Sequence, residues 1–237
     1  MFLTELFEQQ TIKHAAFCFG RMNPPTVGHA QLINTVANAS QGGDYFVFAS
    51  QSQDTKKNPL DYATKIRFLR SLFPDQASHI VYNPQLKTIM QIAGLLYSKG
   101  YRAVTFVAGS DRLADFEKLL TQYNGHEGSN VYYKFDSINF VSSGEREDGA
   151  EGVAGVSASS AREAAKAGNF EAFAQATGAG KLAEPLYQAV RKGMLLECSG
   201  YIPKNKREAK DPRWSNALTV DVHPNTPNKN MKALGLI

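Results

Sequence analysis

Five short apolar runs alternate with longer stretches of helical spacing, and this alternation constrains the chain more than any other feature. The runs are His14 to Gly20 (HAAFCFG), Tyr45 to Ser50 (YFVFAS), His79 to Tyr82, Arg102 to Gly109 (RAVTFVAG) and Ser137 to Ser142 (SINFVS). Short runs rich in β-branched and aromatic residues read as buried strands, and apolar residues three and four apart read as amphipathic helices. The second pattern predicts helices over His29 to Ala39, Asp61 to Phe73 with Asp61 as N-cap, Thr88 to Lys99 ended by Gly100, and Asp111 to Tyr123. Further helices are expected over Ser159 to Ala167, Phe170 to Ala176 and Ala183 to Lys192. Alternation of this kind builds right-handed βαβ units, hence an α/β domain with a doubly wound sheet of about five parallel strands and helices on both faces. Such sheets take ligands beyond the carboxyl ends of their strands, so chemistry is sought at the strand exits.

The chain of 237 residues is 43% hydrophobic, enough to bury a core. Its two cysteines, Cys18 and Cys198, make neither a disulfide framework nor a metal knuckle, which fits a reducing, cytoplasmic setting. No apolar run is long enough to span a bilayer, and Met1 to Gln10, with Glu5 and Glu8 and no basic residue, does not read as a signal peptide. Phe2, Leu3, Leu6 and Phe7 suit a short helix over residues 1–10. The net charge of +4 resides in residues 199–237, where seven basic residues face three acidic ones. Residues 1–198, which include the body over 11–198, balance at 19 basic against 19 acidic residues, so a nucleic-acid partner is not expected. The last segment holds Pro203, Pro212, Pro224 and Pro227, one alternating run (Ala217 to Val222) and the lone Trp214. It reads as an extended C-terminal arm suited to docking on a protein partner or a second copy of the chain, the alternative being a tail that folds back over apolar surface of its own domain.

Two loops stand out at the strand exits. Gly20 to His29 (GRMNPPTVGH) follows the first strand and opens the next helix. Gly20 permits a sharp turn, Pro24 and Pro25 stiffen it, and Thr26 and His29 flank a helix start whose N–H groups and dipole favour a phosphate. A plain β–α turn with a capping Thr and a surface His would also use these residues. Ser142 to Ser160, rich in glycine and acids, is too long for an ordinary turn and reads as either a mobile functional loop or a partly disordered segment. The string Gly178 to Lys181 (GAGK) lacks the upstream glycine and the following Ser/Thr of a phosphate loop, and is read as a helix linker.

GRMNPPTVGH resembles the first signature of the HxGH nucleotidyltransferases, a cytidylyltransferase-like superfamily, with Thr26 in the place of the first His. The Thr variant is similar to phosphopantetheine adenylyltransferases. The Gly20–Arg21 opening is similar to archaeal-type nicotinamide mononucleotide adenylyltransferases. The superfamily's second signature, a Ser/Thr-rich string opening a late helix, is resembled by Val156 to Arg162 (VSASSAR), which departs at Ala158 and Ala161. Its serines can cap the helix and donate to phosphate, and Arg162 can fork onto phosphate oxygens. Lys56 to Leu69 resembles the stretch that supplies a phosphate-contacting lysine; Lys56 matches best, Lys57 nearly as well, and a solvated lysine pair is the alternative. Val107 to Arg112 (VAGSDR) resembles the segment that contacts nucleotide or acceptor, although Ser110 and Asp111 could merely cap the next helix.

The resemblance implies a Rossmann-like sheet and transfer of AMP or CMP from a nucleoside triphosphate to a small phosphate-bearing acceptor, with release of pyrophosphate. It implies His29, Lys56 and Arg162 as catalytic residues, and Gly20, Arg21, Thr26, Gly28, Gly109, Asp111, Ser157, Ser159 and Ser160 as nucleotide-binding residues. An ionised acceptor phosphate needs no enzyme nucleophile, so catalysis reduces to positioning and charge neutralisation. Mg²⁺ would travel on the nucleotide phosphates, and no protein metal site is expected. Nicotinamide mononucleotide is the first acceptor suggested, then pantetheine phosphate, with a polyol phosphate or phosphocholine-like acceptor for a CTP-dependent member. The alternative class is an assembly protein that keeps this fold and docks through its arm. Asp211 to Pro227 is similar to tails of proteins from large tailed bacteriophages, which would place such a protein in the host cytoplasm or the virion.

Overall fold

A computed structural model describes residues 12–127, 131–144 and 157–196. The expected helix over residues 1–10, most of the Ser142 to Ser160 loop and the arm over 199–237 lie outside the described residues.

Four strands form one parallel sheet: β1 (His14–Gly20), β2 (Asp44–Ala49), β3 (Ala103–Ala108) and β4 (Ser137–Ser142), in the order β2-β1-β3-β4. The register pairs Phe17 with Phe46 on one side and with Phe106 on the other, and Phe106 with Phe140. The chain leaves β1 towards β2 and returns to β3 on β1's opposite edge. The strand order therefore reverses between β1 and β3, which opens a crevice beyond their carboxyl ends.

Alternating side chains give the sheet two buried faces. On one, Ala15, Phe17, Phe46, Phe48, Val104 and Phe106 pack with α3 (Ile89–Ser98) and α4 (Ser110–Gln122) through Ile89, Ile92, Leu96 and Leu120. On the other, Ala16, Cys18, Val47, Ala49 and Val107 meet Ile33 and Val36 of α1 (His29–Ala39) and Ile66 and Leu69 of α2 (Tyr62–Leu72). Phe17 and Phe106 sit 5.1 Å apart at the centre of the first face. A third core joins α5 (Ala158–Lys166), α6 (Phe170–Thr177) and α7 (Ala183–Gly193) to Leu60 and Phe68. The helices begin where capping chemistry places them. The Asp61 carboxylate accepts the Thr64 N–H at 2.9 Å, Thr88 and Gln91 form a capping box, and Asn169 accepts the Ala172 N–H. No helix among the described residues is long and apolar enough to cross a membrane.

Among the described residues the sheet has four strands, and the expected strand at His79 to Tyr82 is not one of them. The run His79 to Tyr82 contributes one parallel bridge, Val47 to Ile80, with the Val81 N–H donating to the Val47 carbonyl at 3.0 Å. Pro74 to His79 is a 3-10 helix that uses up part of the segment. Side chains take its carbonyls before a ladder can extend: Arg70 donates to Ile80 O at 2.7 Å, and the Tyr62 hydroxyl to Val81 O at 3.2 Å. Pro84, with no N–H, stands two residues beyond the run.

Close backbone approaches fix how the third core sits on the sheet domain. A Cβ on Gly193 would stand 1.9 Å from the Pro59 carbonyl oxygen, and one on Gly178 (φ +61°) 2.4 Å from a Val27 methyl. Helix propensity alone would make Gly193→Ala stabilising by up to about 1 kcal/mol. The clash with rigid backbone outweighs this, since overpacking costs about 1–3 kcal/mol. Gly193→Ala is expected to lower the urea midpoint; an unchanged or raised midpoint would show that α7 does not press on Pro59.

Candidate functional site

The β1 exit is held from below by a buried charge. Lys65 of α2 is fully buried, and its ammonium donates to Ser50 O at 2.5 Å and to Arg21 O at 3.0 Å. The Ser50 N–H in turn donates to Gly20 O at 2.8 Å, which keeps β1 and β2 together to their ends. Burial pulls the Lys65 ammonium from 10.5 down to about 8, against the opposing pull of Asp61. Beyond Gly20 the chain exposes Arg21, then buries Met22 in a left-handed conformation (φ +44°) and Asn23 behind it.

The loop then closes on itself. Thr26 is buried, and its N–H donates to His29 Nδ1 at 3.0 Å, with its hydroxyl 3.1 Å from the same nitrogen. A backbone N–H can only donate, so Nδ1 is the acceptor and the neutral ring carries its hydrogen on Nε2. The Thr26 carbonyl, also 3.1 Å from Nδ1, receives the His29 N–H. Val27 N–H donates to Thr177 O at 2.8 Å and Ala30 N–H to Val27 O at 2.9 Å. The start of α1 therefore offers fewer amides than its sequence suggests. Among residues 26–30, the Gly28 N–H is the one that donates to no other described residue.

α5 brings the second cluster. Ser157 is its N-cap and accepts the Ser160 N–H at 3.0 Å, with the two hydroxyls 2.9 Å apart. One turn on, the Arg162 guanidinium is a fork turned partly inward: Nη1 donates to Asn23 O at 2.7 Å and Nη2 to Ser159 Oγ at 3.0 Å. Burial first, then the charge of Arg21, hold the Arg162 guanidinium below its ordinary value, with Glu163 and Asp54 acting the other way. Two guanidiniums thus share the mouth of the β1 loop. The ion pair of Arg112 with Asp115 lies elsewhere, on α4. An anion bound here would relieve that repulsion while meeting N–H donors already in place.

The remaining sequence candidates lie around this centre. Lys56 and Lys57 sit exposed on a tight turn whose shape comes from Asp54, which accepts both backbone N–H groups and the Asn58 amide. Those bonds pull the Asp54 carboxyl down to about 2. The Lys56 ammonium makes no hydrogen bond or ion pair among the described residues. Gly109 is the N-cap of α4 at the neighbouring β3 exit, and Asp111 is exposed on its first turn. A Cβ on Gly109 would stand 2.8 Å from Asp111 Oδ1, and neither Ser110 nor Asp111 caps the helix through its side chain. No group of three or more His, Cys, Asp or Glu that could hold a metal occurs among the described residues.

Asn23, Lys65 and Thr177 are the positioning groups that the sequence reading passed over. Lys65 had a signal, because it falls on the buried stripe of α2 between Tyr62 and Leu69, where a lysine must find partners. No protein-family model matches the chain, and no curated protein matches it. What the site does is therefore read from its geometry.

The folded chain releases the Lys65 proton near pH 8, whereas the unfolded chain keeps it until near 10.5. Between those values the unfolded state binds more protons, so rising pH favours the folded state. Relative to Lys65→Met, the wild-type protein should gain stability from pH 8 to pH 10 in urea unfolding. A pH-independent difference between the two would contradict a charge desolvated at this position.

Proposed function

We propose that this protein is a nucleotidyltransferase with a Rossmann-like catalytic domain, passing AMP or CMP from a nucleoside triphosphate to a small phosphate-bearing acceptor. One observation carries the reading. The bond of 2.7 Å from Arg162 to Asn23 O joins the two segments that resemble the superfamily signatures, although they lie 139 residues apart. It ties a cationic fork to the loop that carries the Thr26–His29 pair.

The acceptor's phosphate oxygen attacks the α-phosphorus in line. The new P–O bond forms as the bond to the β-phosphate oxygen breaks, and that electron pair leaves with pyrophosphate. The attacking oxygen is already ionised, so no proton is removed at this step. His29 Nε2–H and the Gly28 N–H donate to phosphate oxygens and meet charge that builds in the transition state. The Thr26 contacts hold the imidazole in the tautomer that can donate. Arg21 and Arg162 neutralise the triphosphate, with the outward hydroxyls and first amides of α5 beside them. Lys56, exposed on the adjoining loop, is the cation assigned to the leaving pyrophosphate. Mg²⁺ enters as part of the nucleotide substrate.

Gly109 and Asp111, at the β3 exit across the crevice, border the space left for the nucleoside and acceptor. ATP and CTP, each paired with nicotinamide mononucleotide, pantetheine phosphate, a polyol phosphate and phosphocholine, would identify the reaction by pyrophosphate release. His29→Ala should lower that release by about a hundredfold or more while the fold survives. Near-normal turnover by a folded variant would remove His29 from the site. Arg162→Lys should weaken triphosphate binding more than acceptor binding, because a lysine cannot make the forked contact.

A further inference from the structure

Asn23 is almost fully buried, and no step of the proposed reaction touches it. Its side-chain amide imitates a strand's backbone. Nδ2 donates to Leu60 O at 2.9 Å, and Oδ1 accepts the Leu60 N–H at 3.1 Å. Leu60 is itself fixed, buried in the core of α5 to α7 with Phe173, Leu186 and Val190. The main-chain carbonyl of Asn23 then accepts Arg162 Nη1. One residue thus joins the β1 loop, the loop before α2 and α5.

The two anchors of the Arg162 guanidinium differ in kind. Ser159 lies exposed on the first turn of the same helix, so it moves with Arg162 and cannot fix it relative to the β1 loop. The Asn23 carbonyl is the hydrogen bond from the guanidinium to that loop among the described residues. That carbonyl is held in place by the paired bonds of its own side chain to Leu60. A loop asparagine that only filled space would need neither the second of those bonds nor a charged donor on its carbonyl.

We propose that Asn23 is a positioning residue: its amide, locked to Leu60, aims the Arg162 fork at the phosphate chain of the bound nucleotide. The proposal rests on the reading of this site as a triphosphate site. It predicts that Asn23 acts through Arg162 and not beside it. Removing the amide leaves the Leu60 N–H and C=O buried without partners and frees the loop carbonyl, so the fork loses its aim.

The test is a double-mutant cycle on the full chain, with inorganic tripolyphosphate as the titrant. Asn23→Ala should weaken binding about tenfold. Added to Arg162→Ala, it should weaken binding no further, because the group it positions is already gone. Losses that multiply, or an Asn23→Ala protein that binds like wild type, would overturn the proposal. If Asn23→Ala does not fold, Asn23→Asp goes through the same cycle, since it keeps the acceptor for the Leu60 N–H and loses the donor to Leu60 O. If wild type binds no tripolyphosphate, the triphosphate reading fails. The order of the Arg162 Nε–H group, measured by NMR in isotope-labelled full chain, then decides the positioning role separately. A rigid group in wild type that loosens in the Asn23 variant supports it, and equal mobility in both overturns it.

Discussion

The buried ammonium of Lys65 is the interaction on which the strand-exit end depends. It ties the backbone at the end of β1 to the backbone at the end of β2 through Arg21 O and Ser50 O. A charge in that position is costly unless its donors are met, and burial accordingly lowers its affinity for a proton. What it provides is geometry. Arg21 leaves the sheet from a fixed point, and everything from Met22 to His29 is built outward from there. Two further buried ties complete the frame, from Asn23 to Leu60 and from Val27 to Thr177. Each joins a short loop to a residue far away in sequence, which holds irregular backbone in one conformation.

The helices of the third core have a corresponding purpose. α5, α6 and α7 bury few large side chains against the sheet itself. Their core reaches the rest of the protein through Leu60 and Phe68, and through the contacts of Gly178 with Val27 and Gly193 with Pro59. They act as a clamp across the two loops, and they deliver Ser159 and Arg162 to the β1 exit. The sheet supplies the crevice, and the clamp supplies the second half of the charge. The switch point between β1 and β3 brings these parts together, because β1 and β3 are neighbours whose following helices open on the same end of the sheet.

Much of this was legible in the chain. The apolar runs located the four strands of the described sheet, and a capping residue such as Asp61 located a helix start, because these signals are local. The extra strand at His79 to Tyr82 failed because its carbonyls are claimed by Arg70 and Tyr62, partners outside the run. The site residues His29, Thr26, Ser159 and Arg162 were visible as motifs, but their mutual bonds were not. Arg162 was read as a fork open to phosphate, whereas two of its nitrogens are anchored on Asn23 and Ser159. The start of α1 was read as a row of open amides, whereas most of residues 26–30 use theirs locally and on Thr177. Long-range polar pairing leaves no periodic trace in sequence, and for that reason Asn23 went unnoticed in a loop whose prolines and glycines were conspicuous.

The central claim is that the β1 loop and the start of α5 form one anion site. Amide chemical-shift mapping of the full chain during titration with a nucleoside triphosphate tests it most directly. The account predicts that the largest shifts fall on Gly28 and on the first turn of α5, saturating together with a single affinity. Shifts confined to one of these segments, two separate affinities, or shifts centred elsewhere on the protein would contradict it.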